Sequence, residues 1–381
     1  MTSIDQVFDS VGLIIVLTEI VTITVTGRGR NRKENRNVQT SVNYGTGFIV
    51  DGTTENGILK NSTTSNSPSI VSVAHLIPGG STNNQFFIKL FNNQTKISKI
   101  HPISLEFYNR SIDVCTFKFV NIPPNIQCLQ WNLSNIKSGD FCYITGYPLG
   151  DAQLSIVGGY VRDPTYCFTN FESGIDQLYH SGSATNGNSG SCVLDISGNI
   201  IGMHGWAYNQ GPGVTFENFC GGPSTHSLYP ILNHMIKNSN LAVNKYFPRV
   251  ALCISAQIMD DIFRIQNFNN SSLNNIDGIV VKNVYSNSPN FTIHAHNLKP
   301  GTIKILPGDL ITSIFDNDKN EYVNVGYSKE APVNILFRNP LFSQIKIKIR
   351  KAPLYNDEQE IILTNPFVTT VSQDIFNSTF L

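Results

Sequence analysis

The sequence predicts a mainly β protein of two or three domains, and three observations carry that expectation. The chain has 381 residues, 40% of them hydrophobic and 14% charged, which is enough to bury a sizeable core and too long for one small domain. Its apolar residues fall in brief β-branched or aromatic runs bounded by Gly, Asn, Asp and Pro, among them "YGTGFIVDG", "SIVSVAH", "FFIKLF", "DVCTFKFV", "FCYITGYPLG" and "NIIGMHGW". Helical periodicity is scarce, and many short strands with little helix imply sandwiches or barrels.

Taken in order, residues 1–10 form a short N-terminal segment with no recognisable contact surface. The apolar stretch from Val11 to Val25 is interrupted by Glu19 and punctuated by threonines. It falls short of the roughly 20 residues a membrane span requires, and its β-branched content favours strands. Asp5 and Asp9 precede it where a secretory signal would be basic, so neither a signal peptide nor a transmembrane helix is expected. The basic run "GRGRNRKENR" at 27–36 reads as a solvated loop. After the strands, "HSLYPILNHMIKNSN" at 226–240 places Leu228, Ile231, Leu232, Met235 and Ile236 on one face of a helix that closes the first domain. "NKYFPR" then leads into a second domain. "NGILKNSTTSNSPS" and "NFNNSSLNNIDG" read as surface loops.

Charge and cysteine content exclude several classes. With 27 basic and 27 acidic residues the formal charge is zero, so no bulk field draws the chain to nucleic acid or an anionic membrane. Seven cysteines lack CxxC or Cys/His metal spacing and read as reduced thiols; no metal or other cofactor is expected. The expected setting is cytosol-like or within a larger particle. Sequons such as those at Asn61, Asn93 and Asn132 carry little weight in a chain so rich in asparagine.

The segment with chemistry in it is "NGNSGSC", residues 186–192, where glycines flank Ser189. Glycines permit backbone conformations closed to other residues and let a second molecule approach the main chain. A serine nucleophile needs a base, and the base needs an orienting carboxylate. His75 ends the apolar run "SVAH", and Asp113 opens "DVCTFKF". The order is His, Asp, Ser, with gaps of 38 and 76 residues.

In that order and spacing, with "GTGF" at 45–48 and "TGYPLG" at 145–150, residues 11–245 resemble a trypsin-like serine protease domain, a chymotrypsin-type double β-barrel. The resemblance implies Ser189 as nucleophile, His75 as general base and Asp113 as the group that fixes the imidazole tautomer. It implies an oxyanion hole from the N–H groups of Gly187 and Ser189. Asn188 stands where secreted zymogens carry the aspartate that binds a freed N-terminus, so activation by clipping is not expected. "GNSGS" is the form found in glutamyl endopeptidases.

"IIGMHGWA" is expected to form one wall of the primary pocket, with Gly205, Trp206 and Ala207 pairing to substrate backbone. His204 corresponds to the histidine that glutamyl endopeptidases and viral 3C-like proteases use to bind Glu or Gln. The alternative is a core histidine and a preference for a small apolar residue. Ser183, six residues before the nucleophile, falls where a trypsin carries its aspartate, which argues against Lys or Arg.

Downstream, "DGIVVKNVYSNSPN", "LKPG" and "LPGDLITSIFDN" resemble the PDZ domain that follows the protease in the HtrA family, placing a PDZ-like small β-barrel domain with short helices at 246–352 and a tail at 353–381. Gly308 and Asp309 should shape a turn before a buried strand. "QIKIKIRK" should close the sheet with Ile345, Ile347 and Ile349 inward. The resemblance places the carboxylate-binding loop at Val250, Ala251 and Leu252, though without its usual glycine. The chain ends in Thr379-Phe380-Leu381, a form many PDZ domains accept.

The expected function is a serine endopeptidase acting on polypeptides, with a C-terminal peptide as candidate PDZ ligand and a homo-oligomer as a further expectation from the family. The alternative is an inactive protease-like module used for binding or structure within a larger assembly.

Overall fold

The computed structural model describes residues 4–26, 33–78, 84–92, 95–110, 112–150, 153–166, 176–183, 185–207, 220–242, 245–247, 250–252, 254–258, 277–284, 305–326, 332–339, 344–352, 355, 357–363 and 367–368. The fold is mainly β: a closed barrel, a second sheet and a third β unit after them. A short helix, α1 (Ile4–Ser10), precedes strands β1 (Val11–Thr26) and β2 (Lys33–Asp51), a small hairpin of β3 (Thr54–Glu55) and β4 (Ile58–Leu59), then β5 (Pro68–Ser72), β6 (Asn84–Asn92), β7 (Ile97–Asn109) and β8 (Val114–Phe119). Six of these close a barrel in the order β1-β2-β5-β8-β7-β6. Val7 of α1 is buried in its core, so the N-terminal segment belongs to this unit.

The stretch from Val11 is a strand, as its β-branched residues require. β1 and β2 pair from Val11↔Phe48 out to Thr26↔Lys33, whereas β6 pairs β1 only from Gly12 to Thr18. Beyond Thr18 the hairpin therefore leaves the barrel as a two-stranded ribbon. Lys33 to Arg36, expected in a solvated loop, belong to that ribbon because pairing with Ile23 to Thr26 satisfies their backbone.

The second sheet runs β13-β12-β9-β10-β11-β15-β14, from β9 (Phe141–Gly146), β10 (Ser155–Tyr166), β11 (Gln177–His180), β12 (Cys192–Leu194), β13 (Ile200–Met203), β14 (Trp206–Ala207) and β15 (Cys220–Pro223). Its two end strands, β13 and β14, are consecutive in the chain, so the sheet curls until they meet at His204 and Gly205. Alternation along β12 sends Val193 to an inner core with Cys142, Ile144 and Leu178, and sends Cys192 and Leu194 to the larger core shared with the first barrel. Helix α2 (Thr225–Lys237) covers that larger core with Leu228, Ile231, Leu232 and Met235, the face its periodicity specifies.

The third unit contains β16 (Val250–Ala251), β17 (Ile254–Ile258), β18 (Ile279–Val284), β19 (Leu310–Asp316), β20 (Glu321–Asn324), α3 (Pro332–Arg338), β21 (Ile345–Arg350), β22 (Glu358–Leu363) and β23 (Phe367–Val368). Its main sheet is β17-β18-β19-β21-β22, with β20 on β19 and Ile345, Ile347 and Ile349 buried. Gly308, at φ +93°, and Asp309, whose carboxylate accepts from Leu306 N–H at 2.7 Å and pairs with Lys351 at 2.6 Å, form the turn before β19. In the segment expected as a tail, Ile361 and Leu363 are buried in β22.

The segment expected to link the units packs on the first barrel instead. Phe247 N–H donates to Tyr108 O at 2.8 Å, and the Phe247 ring stacks on Phe337 of α3 at 5.7 Å and 11°. Asn334 of α3 donates to Ser227 Oγ of α2 at 2.9 Å. The SPN and LKPG segments, residues 208–219, most of 267–278 and the last three residues lie outside the described residues.

Candidate active site

His75 follows β5 on a single helical turn, Ala74–Leu76, whose Ala74 and Leu76 side chains are buried while the His75 side chain is about half covered, 46% of it exposed. Asp113 ends a tight turn ahead of β8, its N–H donating to Arg110 O at 3.2 Å. Its φ of 52° lies in the left-handed region, which Asp tolerates better than most residues. From there the carboxylate meets His75 twice: Oδ1 accepts the backbone N–H at 2.8 Å, and Oδ2 lies 2.7 Å from Nδ1. The proton on Nδ1 is thereby fixed, leaving Nε2 as the basic nitrogen. Burial pulls the His75 pKa down, but the hydrogen bond and charge of Asp113 outweigh both burial and the Arg110 charge, and the pKa rises above 6.5.

The Ser189 turn is held by the first barrel. Thr46 N–H donates to Ser189 O at 2.8 Å, and Thr46 Oγ1 donates to Gly187 O at 2.9 Å while accepting from Tyr147 N–H at 3.0 Å. Ser72 Oγ, three residues before His75, donates to Thr46 O at 2.6 Å. Gly187 and Gly190 have φ of +96° and +86°; a Cβ on Gly187 would lie 2.4 Å from Tyr147 O, and one on Gly190 would lie 2.1 Å from Thr46 O. Both glycines are required by conformation and by space. Leu149 N–H donates to Asn186 O at 2.5 Å, and because the peptide bond is trans this turns Gly187 N–H to the opposite side.

The same turn is tied to the second sheet. Gly190 N–H donates to His204 O, and His204 N–H donates to Ser191 O, each at 2.8 Å. Gly205 follows, and a Cβ built on it would lie 3.9 Å from Asp113 Oδ2. Gly205 therefore lies beside Asp113, and the backbone of His204 ties the Ser189 turn to the same end of the second sheet. Trp206 and Ala207 form β14, an edge strand among the described residues, with Trp206 Nε1 donating to Gln177 Oε1 at 3.1 Å. Ser183 is exposed. His204 is buried, its Nδ1 lying 3.2 Å from Nε2 of buried His180.

The expected carboxylate-binding loop takes a different form. Val250 and Ala251 are paired with Val368 and Phe367, and Leu252 belongs to the core of the third unit. Without a glycine to hold an open loop, this backbone pairs with a downstream strand. No group of His, Cys, Asp or Glu suited to a metal occurs among the described residues, and Cys115, Cys128, Cys142, Cys192 and Cys220 are free and buried.

Sequence reading missed Thr46, Leu149 and His180. "GTGF" and "TGYPLG" stood out, but nothing local shows that Thr46 reaches Gly187, 141 positions away.

Residues 45–203 match the family model of the trypsin-like peptidase domain. No curated protein matches the chain. Among solved structures it is similar to the HtrA-type protease AlgW with tripeptide, at 16% identity over 96% of each chain and a TM-score of 0.60. It is also similar to AlgW with decapeptide, at 15% identity over 96% of each chain and a TM-score of 0.57. A serine endoprotease from Yersinia pestis aligns over 96% of this chain and 99% of its own, with 14% identity and a TM-score of 0.52.

Proposed function

We propose that this chain, which carries a trypsin-like peptidase domain at residues 45–203 within a fold like that of the HtrA-type proteases, is a serine endopeptidase. The observation that carries the proposal is the double contact of Asp113 with His75, on the barrel whose Thr46 also holds the glycine-flanked Ser189 turn. A scaffold used only for binding has no need of a carboxylate that fixes one imidazole tautomer and raises its basicity. That weighs against the inactive-module alternative.

In the proposed reaction His75 Nε2 takes the Ser189 proton as Oγ attacks a peptide carbonyl, and Asp113 stabilises the imidazolium. The N–H groups of Gly187 and Ser189 hold the oxyanion. His75 then protonates the leaving amine, and water releases the acyl group by the reverse sequence. Trp206 and Ala207 offer a sheet edge to an extended polypeptide, and His204, next to that edge in the chain, is assigned to recognition of the side chain preceding the cut. The third unit is assigned as PDZ-like, with its edge at β16 already paired in cis by β23.

The test is covalent labelling of the folded chain with a fluorophosphonate, followed by cleavage-site profiling on a peptide library. Label on Ser189 that is lost in Ser189→Ala supports the enzyme. A folded chain that takes no label supports the binding module.

A further inference from the structure

The first barrel leaves one stretch of strand edge uncovered. On one side β7 pairs β6 from Ile97 to Ile103, but on the other it pairs β8 only from Ile103 to Asn109. Val120 N–H still donates to Pro102 O at 3.2 Å; the chain then bends away, and Pro123 and Pro124, which have no N–H, follow. Beside residues 97–101 the lane that β8 would continue is therefore empty among the described residues. Because Pro102 O points into that lane, alternation along an antiparallel strand turns the N–H and C=O of Ser98 and Ile100 the same way.

The side chains around this edge are apolar and basic. Ile97, Lys99 and His101 face a cavity of about 490 Å³ that Leu90, Pro124 and Ile126 also line. On the opposite face Ile100 is 61% exposed, and Val120, where the chain leaves the lane, is 58% exposed. Residues 84–102 carry Lys89, Lys96 and Lys99 and no acidic residue. Asp9 lines the cavity but does not come within ion-pair distance of Lys99. Burial, with Lys99 adding to it, lowers the His101 pKa, so Lys99 is the cation of this cavity at neutral pH. The edge lies at the end of the barrel away from the triad: β8 begins just after Asp113, and its 6 residues span roughly 20 Å before the lane falls empty.

We propose that the 97–101 edge of β7 docks an extended segment of a partner polypeptide as an added strand, with an acidic side chain opposite Lys99 and apolar side chains flanking it in the cavity. In that lane the residue opposite Lys99 forms a non-hydrogen-bonded pair, the arrangement that brings side chains closest, and an opposite charge there is favourable. A second copy of this chain is the wrong occupant, because antiparallel overlap of the edge with itself sets Lys99 against Lys99. At this distance from Asp113 the surface acts apart from the active site, and it stands whether or not the chain is a peptidase.

The probe is a short fluorescein-labelled peptide of alternating valine and threonine with glutamate in place of the central valine, compared with one that has lysine there. Binding to the full Ser189→Ala chain is read by fluorescence anisotropy. The glutamate peptide should bind about tenfold more tightly than the lysine peptide, and Lys99→Glu should invert that order. Ile100→Pro, which removes an N–H that β6 does not use, should weaken the glutamate peptide by a similar factor. Hydrogen exchange should show the Ser98 and Ile100 amides protected only when that peptide is present. No binding, equal binding of the two peptides, no response to Lys99→Glu, or protection confined to β14 overturns the proposal. Lys99→Glu alters an exposed side chain, so the test holds even where Ile100→Pro fails to fold.

Discussion

Thr46 is the residue on which the Ser189 turn depends most. One side chain donates to Gly187 O and accepts from Tyr147, and its backbone holds Ser189. Thr46→Val keeps shape and backbone bonds but leaves Gly187 O without its donor and Tyr147 N–H without its acceptor. It should lower kcat by about 10- to 100-fold, since small misplacements of reacting groups carry that cost, and lower stability by about 1 to 3 kcal/mol, since the buried Tyr147 N–H loses its acceptor; a change in KM alone would place Thr46 outside the turn's function. Asp113→Asn removes the interactions that raise the His75 pKa and leaves burial and Arg110, which lower it. In the wild type kcat/KM should fall as pH drops through a value above 6.5. In the variant that limb should move below 6.5, and kcat should fall by about 10⁴-fold as the wrong tautomer is favoured. A limb that does not move would remove His75 as the base. The order and spacing of His75, Asp113 and Ser189 are visible in the sequence, and so is the pairing of His75 with Asp113 that they suggest. The contacts of Thr46 and His180 are not, because their partners lie 141 and 24 positions away, with nothing local marking either contact.

At the scale of elements, α2 and α3 join the peptidase domain to the third unit. The Phe337 ring stacks on Phe247 and meets His234 edge-on at 5.8 Å; Asn334 reaches Ser227, whose Oγ accepts from Asp176 N–H at 2.8 Å just before β11. Phe337 is 2% exposed. Phe337→Ala should therefore cost about 3 to 5 kcal/mol, the range for a buried aromatic replaced by alanine. Urea unfolding followed by tryptophan fluorescence reads it, because both tryptophans, Trp131 and Trp206, precede α2 and lie outside the third unit. A loss under about 1 kcal/mol would mean that α3 does not support this domain. The sequence showed α2 through its 3.6-residue period and β21 through strict alternation. It did not show that "KYF" would pack on the barrel, since Phe247 is held by Tyr108 and Phe337, both far away in the chain. Nor did it show that β16 would pair with β23, two residues with no pattern of their own.

For the whole molecule, the double-sheet peptidase fold followed by a β unit is shared with proteins only 14 to 16% identical to it. At that distance the shared fold says how the sheets are arranged. The activity rests on whether His75, Asp113 and Ser189 act together where the 186–192 turn is held between the first barrel and the second sheet. The most direct measurement is labelling of the full chain with a fluorophosphonate, which bonds only to an activated serine, alongside Ser189→Ala and His75→Ala. The account predicts a single adduct within residues 186–192 that is absent in both variants. A folded chain that takes no label, or one still labelled after Ser189→Ala, would contradict it.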